Sequence, residues 1–395
     1  MIRKLQELDL NDKTVFVRVD YNVPIHEGRI TETHRIEESL PTLRFILQRA
    51  KKLLIASHLG RPGGKREPKW SLAPVRDHLE RSLSQPVTLA PDCIGDSVKA
   101  LVEDPRQHRM ILLENLRFHE GEEANDPVFS RSLASLADVY VNDAFGAAHR
   151  AHASIAGMVK FFRQSQKGAG LLLQKELDYL GRILSKPEKP FIALLGGAKV
   201  SDKIGVVRNL LPKVSSLLIG GGMAYTFLKA KGIAVGKSLV EENRIPVARE
   251  ILAQAGDLGI SLLLPVDHIA AKRNKGDERP ITTENSIPPD CAGLDIGPKT
   301  VAQFSQAIEN ARMVLWNGPM GLFEQKPFDL GTRSIAHALA QSRAISIVAG
   351  GDTVAAVREA GVEKKITHLS TGGGATLEFL EGKKLPGVQA LEETE

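Results

Sequence analysis

The chain has 395 residues, of which 42% are hydrophobic and 25% charged, which is the composition of a globular protein long enough for two or three domains. Its net charge of +5 is spread along the chain and aromatic residues make up only 5%, so an anionic small molecule fits better than nucleic acid as a partner. Cys93 and Cys291 stand too far apart for a disulfide framework or a metal-binding motif. No apolar run reaches the ~20 residues of a membrane span and no signal peptide is visible, so we expect a cytoplasmic protein without a membrane partner.

The first half of the chain alternates apolar, strand-like runs with amphipathic stretches, which is typical of βαβ units. The predicted strands are residues 15–19, 53–57, 110–113 and 139–141, and the predicted helices include 39–50 and 72–83. Charged, histidine and amide side chains accompany the ends of these strands: Arg18, Asp20, Asn22, His58, Arg61, Asn115, Arg117, Asn142, Asp143, His149, Arg150 and His152. A single arginine is more often a solvated surface residue. Arginines that recur at strand ends predict a rim that binds phosphate or carboxylate groups.

One helix marks the best domain boundary in the chain. Apolar residues recur at helical spacing through residues 171–184, and Pro187 and Pro190 then stop any helix before a new strand starts at Phe191. The sequence therefore predicts one domain on each side of this helix.

The second half of the chain ends its strands in glycine. The predicted strands are the apolar runs 191–195, 217–219, 313–316, 345–349 and 368–371, and glycine follows each of them within two residues. Glycine at a strand end lets backbone N–H groups approach a ligand closely. One such glycine is as often an ordinary turn, but the set predicts a pocket for a phosphorylated ligand such as a nucleotide at the carboxyl edge of a sheet.

Motifs of several other chemistries are missing or incomplete. No Gly-x-Gly-x-x-Gly occurs, which removes the usual dinucleotide fingerprint, and residues 232–238 are one residue short of a P-loop, so we interpret them as a loop. His-Glu-x-x-His, Cys-x-x-Cys and Gly-x-Ser-x-Gly are absent as well. Metal-hydrolase and serine-hydrolase functions therefore lose their support.

Two of the glycine turns carry polar side chains suited to a magnesium nucleotide. After the first turn, a predicted helix would place Lys199 and Lys203 four residues apart on one face, where two ammonium groups could grip a polyphosphate. Asp352 and Thr353 supply the carboxylate and hydroxyl that Mg²⁺ bound to phosphate oxygens requires. Two alternatives stay open: the lysines are simply exposed, and Asp352 caps the helix that follows it.

Ten short motifs follow one another along the chain. In the first half they are RVDYNVP at 18–24, SHLGRP at 57–62, LENLRF at 113–118 and AHRAH at 148–152. In the second half they are GGAKV at 196–200, GGGMA at 220–224, LDIGP at 294–298, WNGP at 316–319, GGDT at 350–353 and STGGGA at 370–375. From about residue 5 to residue 388, this series resembles the phosphoglycerate kinase family in its bacterial form.

The resemblance implies an α/β protein of two doubly wound, Rossmann-like domains with parallel sheets, joined by a hinge helix. It places a 3-phosphoglycerate-binding domain at 1–170, the inter-domain helix at 171–185 and a nucleotide-binding domain at 186–379, with the C-terminal segment 380–395 packed back on the first domain. The reaction it implies is the reversible, Mg²⁺-dependent transfer of the acyl phosphate of 1,3-bisphosphoglycerate to ADP, giving 3-phosphoglycerate and ATP in glycolysis. Hinge closure and a monomeric state are further implications.

The resemblance also implies the site residues. The phosphoglycerate would be bound by Asp20, Asn22, Arg35, His58, Leu59, Gly60, Arg61, Arg117 and Arg150. The nucleotide would be bound by Lys199, Lys203, Gly293, Asn317, Glu324, Gly350, Gly351, Asp352 and Thr353, with Glu324 on the ribose and Asp352 on the metal ion. The catalytic groups would be Arg35, Lys203, Gly373 and Gly374, with Gly372 beside them. Since positioning and charge neutralisation dominate phosphoryl transfer, we expect no histidine to shuttle protons.

The chain departs from the family pattern in small ways. Tyr21 stands where the family usually has phenylalanine, and His34 stands where threonine is common. Residues 325–329, beside the expected ribose site, match less closely, although Glu324 and Phe328 are kept.

Two other functions remain as alternatives at this point. One is a nicotinamide-dependent dehydrogenase on a similar doubly wound frame, which NADH binding would reveal. The other is a protein that binds a phosphometabolite or nucleic acid without turnover, for which salt-dependent retention on DNA is the test.

Overall fold

The structure, a computed structural model, describes residues 2–104, 109–272 and 279–392. It divides into two units: unit 1 comprises Met1–Asp178 and Lys384–Glu395, and unit 2 comprises Tyr179–Lys383. The division falls inside the helix that the sequence predicts at 171–184 rather than at either end of it. The assignment of one substrate to each unit stays a prediction.

Unit 1 is built from short strands and helices in alternation. Its strands are β1 (Thr14–Val19), β2 (Ile25–His26), β3 (Arg29–Ile30), β4 (Lys52–Ala56), β5 (Thr88–Leu89), β6 (Met110–Leu112), β7 (Val139–Asp143) and β8 (Lys167–Ala169). Its helices are α1 (His34–Leu47), α2 (Ala73–Leu83), α3 (Asp96–Glu103), α4 (Glu120–Glu123) and α5 (Pro127–Ala134), and α6 (Leu171–Ser185) runs across the division into unit 2.

The sheet of unit 1 is parallel, in the order β5-β6-β4-β1-β7-β8, while β2 and β3 form a separate antiparallel pair. Strand β1 lies between β4 and β7, and Arg18 is in register with Ala56 on one side and Asn142 on the other. The chain leaves β1 toward one side of the sheet and later returns to the other. This arrangement opens a crevice at the carboxyl ends of the central strands, where open α/β sheets bind ligands.

The core of unit 1 explains why these segments are strands and helices. Residues 15–19 are buried on both faces of the sheet, as expected when helices cover both sides of a parallel sheet. On α1, Ile36, Leu40, Leu43 and Leu47 recur at helical spacing and pack in the same core.

Unit 2 repeats the alternation and adds a second sheet. Its strands are β9 (Phe191–Leu195), β10 (Ser216–Ile219), β11 (Ser261–Leu263), β12 (Asp267–Lys272), β13 (Ile281–Glu284), β14 (Cys291–Ile296), β15 (Met313–Asn317), β16 (Ile345–Ala349) and β17 (His368–Leu369). Its helices are α7 (Ile204–Leu210), α8 (Met223–Ala230), α9 (Ile245–Asp257), α10 (Pro298–Glu309), α11 (Leu330–Gln341), α12 (Gly351–Glu359) and α13 (Gly374–Leu380), and a last helix, α14 (Pro386–Gln389), belongs to unit 1.

The main sheet of unit 2 is again parallel, in the order β11-β10-β9-β15-β16-β17. Leu195 is in register with Ile219 and Asn317, so the glycine turns that follow these strands meet at one edge. A smaller antiparallel sheet has the order β13-β12-β14. The predicted fold class, two doubly wound α/β domains with parallel sheets, is confirmed.

Helix α6 begins on a carboxylate supplied by the unit 1 sheet. Asp143, the last residue of β7, accepts hydrogen bonds at Oδ1 from the backbone N–H groups of Leu172 (2.9 Å) and Leu173 (3.1 Å). These two groups lie in the first turn of the helix, where backbone donors have no partner within the helix. A residue distant in sequence therefore caps the helix that crosses the division.

The last described segment of the chain lies on unit 1. The N–H of Gly387 donates to the carbonyl oxygen of Ala148 (2.8 Å), and Lys167 Nζ donates to that of Ala390 (2.9 Å). In the described part of the chain, no helix is both long and apolar enough to cross a membrane.

Candidate active site

The carboxyl edge of the unit 1 sheet brings together side chains that the sequence places at strand ends. Asp20 follows β1, and His58 follows β4 after one residue. Arg117 lies in a short 3₁₀ turn (Leu116–Phe118) after β6, and Arg150 lies beyond β7. Parallel strands present their carboxyl ends at one edge, so these four side chains share one rim of unit 1.

Asp20 holds Arg35 in place at this rim. Arg35, in the first turn of α1, donates from Nη1 to Asp20 Oδ2 (3.2 Å) and to the carbonyl oxygen of Asn22 (3.2 Å). The N–H of Asn22 donates to Asp20 Oδ1 (3.1 Å). Burial alone would raise the pKa of Asp20, but the charges of Arg35 and Arg18 and the hydrogen bond from Asn22 outweigh it and lower the pKa. Asp20 is therefore a carboxylate that orients an arginine whose side chain is still 27% exposed.

Gly60 connects the loops after β1, β4 and β6. Its N–H donates to Asn22 Oδ1 (2.9 Å), and its carbonyl oxygen accepts from Arg117 Nη1 (2.7 Å). Leu59, which is buried, exchanges two hydrogen bonds with the side-chain amide of Asn115 (3.2 and 2.8 Å). These hydrogen bonds connect the loops that carry Asn22, Asn115 and Arg117 and hold them in place without a ligand.

The two remaining arginines of the predicted set lie farther out. Arg61 is exposed in the turn after β4, and the half-buried Arg150 donates from Nε to His149 Nε2 (3.3 Å). The structure therefore places Asp20, Asn22, Arg35, Gly60 and Arg117 in one hydrogen-bonded group, with Arg61 in solvent beside it.

A buried charge network lies beneath this rim. Arg18, fully buried, donates from Nε to Ser154 Oγ (2.7 Å) and approaches Glu122 Oε1 at 3.9 Å. Glu122, also fully buried, accepts hydrogen bonds from Ser154 N (2.9 Å) and Oγ (2.6 Å). Sequence reasoning noted Arg18 but missed Glu122 and Ser154. Neither lies in a motif, and the acidic, polar sequence around Glu122 (residues 119–126) gives no sign that this glutamate is buried.

Two histidines of the rim, His58 and His152, are held neutral. Burial lowers the pKa of His58 well below its ordinary value, and Arg18, Arg117 and Arg35 lower it further against the opposing charge of Asp20. Burial and the neighbouring arginines lower the pKa of His152 to about 3. An imidazole with so low a pKa stays neutral and is too weak a base to take up a proton at neutral pH, which supports the expectation that His58 and His152 do not shuttle protons.

In unit 2 the glycine turns pack against one another at the carboxyl edge of the sheet. A Cβ on Gly196 would lie 2.2 Å from the carbonyl oxygen of Pro319, and one on Gly318 (φ +101°) would lie 2.3 Å from that of Gly196. A Cβ on Gly221 (φ +63°) would lie 2.6 Å from the nitrogen of Gly197. These glycines are required by close backbone contact between adjacent strand ends, which leaves a smooth rim of main-chain groups.

The lysine pair of unit 2 lies in a turn rather than on a helix, so the predicted helical spacing is wrong. Helix α7 begins only at Ile204, with Lys203 as its N-cap residue. Lys199 is exposed and Lys203 is partly buried. Burial lowers the pKa of Lys203 to about 8, against the opposing charges of Asp202 and Asp352. Lys203 and Asp352 therefore interact electrostatically across the glycine edge.

In the turn after β16, Asp352 does not cap the helix, which was the alternative role that the sequence left open. The N-cap residue of α12 is Gly350 (φ +93°), and Asp352 is the second residue of the helix, so Asp352 is not its cap. Gly351 and Asp352 are exposed, whereas Thr353 is buried and accepts a hydrogen bond at Oγ1 from Gly318 N (2.7 Å). The carboxylate of Asp352 is consequently available at the surface of the edge.

Asn317 is the last residue of β15, and only one of its two polar side-chain atoms has a hydrogen-bond partner among the described residues. Its Nδ2 donates to the carbonyl oxygen of Ala349 (2.9 Å). Its Oδ1 is buried and accepts no hydrogen bond from the residues that the structure describes. A buried acceptor without a donor is costly, so a donor from a ligand or a bound water would be favoured there.

The residues expected around the nucleoside lie on the second sheet and the turn beside it. Gly293 in β14 donates from N to Ser238 Oγ (2.9 Å), and a Cβ there would lie 2.2 Å from the hydroxyl of Tyr225. Glu324 is exposed in the turn after β15, and this turn is tied to β14 by Leu322 N, which donates to the carbonyl oxygen of Leu294 (2.8 Å). Gly293 and Glu324 are therefore on adjoining segments.

The last glycine turn has a conformation that only glycine adopts readily. Gly373 has φ 52° and ψ −116°, and Gly374 then begins α13. Ser370 Oγ accepts from Gly372 N (3.2 Å) and shares a hydrogen bond with Thr376 Oγ1 (2.7 Å), which fixes the turn from both sides.

Comparison with known proteins gives one consistent result. The family model described as phosphoglycerate kinase matches residues 5–383. The phosphoglycerate kinase of Anaeromyxobacter sp. (strain Fw109-5) is 54% identical over 395 residues, covering 99% of both chains, and that of Koribacter versatilis (strain Ellin345) is 55% identical over 397 residues, covering 98% of both. The solved structure of phosphoglycerate kinase from Coxiella burnetii has a TM-score of 0.88 at 40% identity, covering 99% of both chains. That from Pyrococcus horikoshii OT3 has a TM-score of 0.85 at 30% identity, covering 99% of this chain and 98% of that one. The chain belongs to the phosphoglycerate kinase family.

Proposed function

We propose that the rim of unit 1 binds the phosphoglycerate and that the glycine edge of unit 2 binds the magnesium nucleotide in the reaction of this phosphoglycerate kinase. The enzyme is a glycolytic phosphotransferase with a carboxyl group as acceptor, and it transfers the acyl phosphate of 1,3-bisphosphoglycerate to ADP reversibly. The division of labour between the two units, and the residues that carry it out, are the substance of the proposal.

The observation that carries the proposal is the bonded group around Asp20. One carboxylate orients Arg35, one amide and one glycine position Arg117, and both arginines keep donors in a fixed geometry. Arginine presents a planar fork of donors that matches phosphate and carboxylate, the two ends of 3-phosphoglycerate. Asn22, His58, Leu59, Gly60, Arg61 and Arg150 complete the proposed binding set.

In unit 2, Lys203 and Asp352 are two charged groups of the proposed phosphate site, and they interact electrostatically with each other. Lys203 would neutralise the transferred phosphoryl group, and the backbone N–H groups of Gly373 and Gly374 would donate to it. Lys199, Gly350, Gly351 and Thr353 would hold the nucleotide phosphates. Gly293 and Glu324 would contact the nucleoside, with Glu324 on the ribose hydroxyls.

The residues present fit a magnesium ion carried in with the nucleotide. Mg²⁺ takes few protein carboxylates and keeps water and phosphate oxygens as its other ligands. Asp352 offers one exposed carboxylate that does not cap its helix, and the buried Oδ1 of Asn317 could accept a hydrogen bond from a metal-bound water. When bound, the ion would neutralise charge on the phosphate oxygens.

A coupled spectrophotometric assay in the reverse direction tests the function. It contains 3-phosphoglycerate, ATP and Mg²⁺, with controls that omit each in turn. We expect turnover only when all three are present. No turnover from a folded protein that still binds ATP would contradict the proposal and favour a binding protein instead.

The roles of individual residues need a variant with a matched control. Arg35→Met should lower kcat by about 10²- to 10³-fold and raise KM for 3-phosphoglycerate while KM for ATP stays unchanged. Arg44→Met, which removes an exposed arginine from the same helix, should behave as the unchanged enzyme. A higher KM for ATP with an unchanged KM for 3-phosphoglycerate would mean that Arg35 acts on the nucleotide, which would contradict the proposed role.

Further expectations belong to the proposal. We propose a monomer located in the cytoplasm, without nucleic acid or a membrane as partner. The glycolytic reaction and the even spread of basic residues support these points. Hinge closure on both substrates also stays a prediction, and small-angle scattering with each substrate alone and with both together would test it.

A further inference from the structure

Asp92, Cys93 and His119 form a side-chain cluster on unit 1 for which the kinase reaction has no use. Asp92 and Cys93 lie in the connection between β5 and α3, and His119 directly precedes α4. One potential ligand atom from each, a carboxylate oxygen, the sulfur and a ring nitrogen, lies within 4.8 Å of the other two. Within residues 2–104, 109–272 and 279–392, this is the one group of three such side chains that could hold a metal ion.

The backbone and neighbouring side chains hold the cluster in this arrangement. His119 Nε2 donates to Asp92 Oδ1 (2.7 Å), and the N–H of Cys93 donates to the same oxygen (2.6 Å). The ring of His119 stacks on Phe129 with centroids 5.2 Å apart, and the backbone N–H of His119 donates to the carbonyl oxygen of Leu116 (3.2 Å). Two segments distant in sequence are therefore fixed against each other at the point where the three side chains meet.

The burial of the cluster leaves a path for an ion. Cys93 is fully buried, whereas the side chains of Asp92 and His119 are 33% and 30% exposed. An ion could enter from the side of the carboxylate and the imidazole and meet the sulfur at the inner end.

The distances are close to those of a tetrahedral zinc site. With bonds of about 2.3 Å to sulfur and about 2.0–2.2 Å to nitrogen and oxygen, tetrahedral ligand atoms lie roughly 3.3–3.6 Å apart. The distance of 2.7 Å between Asp92 Oδ1 and His119 Nε2 is shorter than the lower end of this range by roughly 0.6 Å. No pair of potential ligand atoms in the cluster is more than 4.8 Å apart. Small side-chain rotations would therefore admit the ion.

We propose that Asp92, Cys93 and His119 form a binding site for a divalent cation of the zinc class, with water as the fourth ligand. Thiolate and imidazole ligands select such ions, whereas Mg²⁺ and Ca²⁺ prefer sites built from oxygen alone. The site is thus chemically distinct from the single carboxylate proposed for magnesium at Asp352. A bound ion would link the connection after β5 to the turn that carries Arg117.

Cys291 provides the internal comparison. It is also a free cysteine with a neighbouring carboxylate, since its Sγ lies 3.7 Å from Asp290 Oδ1. No histidine joins that pair to make a group of three in the described part of the chain. If a cysteine beside an aspartate were enough, both cysteines should bind the ion equally.

The experiment is a Co²⁺ titration of the full-length, tag-free protein after treatment with a chelator. One equivalent of Co²⁺ should give the near-ultraviolet band of thiolate-to-cobalt charge transfer and the visible bands of four-coordinate cobalt, and Zn²⁺ should remove both in the presence of excess Mg²⁺. Zn²⁺ should also raise the midpoint of thermal unfolding, since it binds the folded state. Absence of the charge-transfer band from folded protein would overturn the proposal.

Variants assign the ligands. Cys93→Ser should abolish the charge-transfer band, and Cys291→Ser should leave it unchanged. His119→Gln, at a partly exposed position, should weaken Zn²⁺ binding by at least tenfold in equilibrium dialysis and serves if Cys93→Ser does not fold. A band that survives in Cys93→Ser, or Zn²⁺ binding by His119→Gln equal to that of the unchanged protein, would overturn the proposal.

Discussion

Glu241 accepts two hydrogen bonds from Ser201, one from the backbone N–H (3.0 Å) and one from Oγ (2.7 Å). Ser201 lies midway between Lys199 and Lys203, in the turn that precedes α7. The N–H of Glu241 in turn donates to Thr226 Oγ1 on α8 (3.1 Å). A carboxylate distant in sequence therefore fixes the turn on which both lysines of the proposed nucleotide site stand.

The first prediction concerns this positioning role. Glu241→Ala should lower kcat/KM for ADP by about 10- to 100-fold, because the turn loses the acceptor that sets the position of Lys203. KM for 1,3-bisphosphoglycerate should not change. Glu241→Gln keeps one acceptor and should recover part of the loss. Steady-state kinetics with each substrate varied separately measures these effects.

The neighbouring Glu242 supplies the control for that prediction. Its side chain is 66% exposed and pairs with Lys229 at the surface, away from the lysine turn. Glu242→Ala should leave both KM values and kcat unchanged. Equal losses in the two alanine variants would mean that Glu241 has no special role.

The second prediction is a pH dependence caused by Lys203. Burial lowers the pKa of Lys203 to about 8, so the free enzyme loses this positive charge as the pH rises through that value. If the ammonium form binds and neutralises phosphate, kcat/KM for magnesium ADP should decrease above a pH of about 8. Lys203→Arg keeps its charge at all these pH values, so its profile should stay flat where that of the unchanged enzyme falls.

Removing the positive charge of Lys203 altogether should reduce turnover much more than a change of pH. Lys203→Ala should lower turnover by about 10²- to 10³-fold with the fold intact, because it removes charge stabilisation from the transition state. Lys364→Ala, which removes an exposed lysine from the same unit, is the control. Near-normal turnover of Lys203→Ala would contradict the proposed role.

The third prediction concerns the buried carboxylate of Glu122. Glu122→Gln would remove the carboxylate that lies 3.9 Å from the buried Arg18 and would disturb the hydrogen bonds from Ser154. We expect the free energy of unfolding to fall by about 3–5 kcal/mol, as for other buried charges that lose their partner. Urea denaturation followed by circular dichroism measures the change.

Glu123 offers a matched comparison one residue along the same helix. It pairs with Arg117 (3.2 Å), but its own side chain is 40% exposed. Glu123→Gln should cost less than Glu122→Gln, because the Glu123 side chain stays in contact with solvent although Arg117 is buried. If both variants lose the same stability, burial of Glu122 is not the cause.

The sequence predicts the parallel sheets better than the rest of the fold. Each of the nine predicted strands coincides with an observed strand to within two residues, because fully buried runs bounded by turn residues give a strong signal. The antiparallel sheet β12–β14 was missed. Its strands β12 and β13 mix polar and apolar residues and lie partly exposed, so their pattern is weak.

The candidate site also contains residues that the sequence predicts and residues that it does not. Motif residues at strand ends could be predicted because parallel strands present their ends at one edge. Glu122, Ser154 and Glu241 could not, since each acts through a contact between segments distant in sequence: Ser154 bonds to Glu122 across 32 residues, and Ser201 to Glu241 across 40. The helix predicted from Lys199 was also wrong, because the chain first forms a turn, in which Lys203 N donates to the carbonyl oxygen of Val200 (2.9 Å), and α7 begins only at Ile204.

The last prediction concerns the carboxylate that caps α6. Burial raises the pKa of Asp143 to about 7, although hydrogen bonds from Thr42, Leu173 and Leu172 act in the opposite direction. Between its ordinary value of 3.8 and about 7, the folded protein keeps a proton on Asp143 that the unfolded chain has released. This group therefore makes the protein less stable as the pH rises through that window, by roughly 4 kcal/mol in total.

Asp143→Asn removes the titration but keeps a side-chain oxygen to accept from the first turn of α6. Relative to the unchanged protein, its free energy of unfolding should rise steadily as the pH increases from about 4 to about 7 and then stay level. Urea denaturation of both proteins across this range measures the difference. Asp138→Asn, which removes an exposed carboxylate just before the same strand, is the matched control. A constant difference between Asp143→Asn and the unchanged protein over this range would show that Asp143 is ionised throughout, and that burial against the start of α6 does not hold its proton.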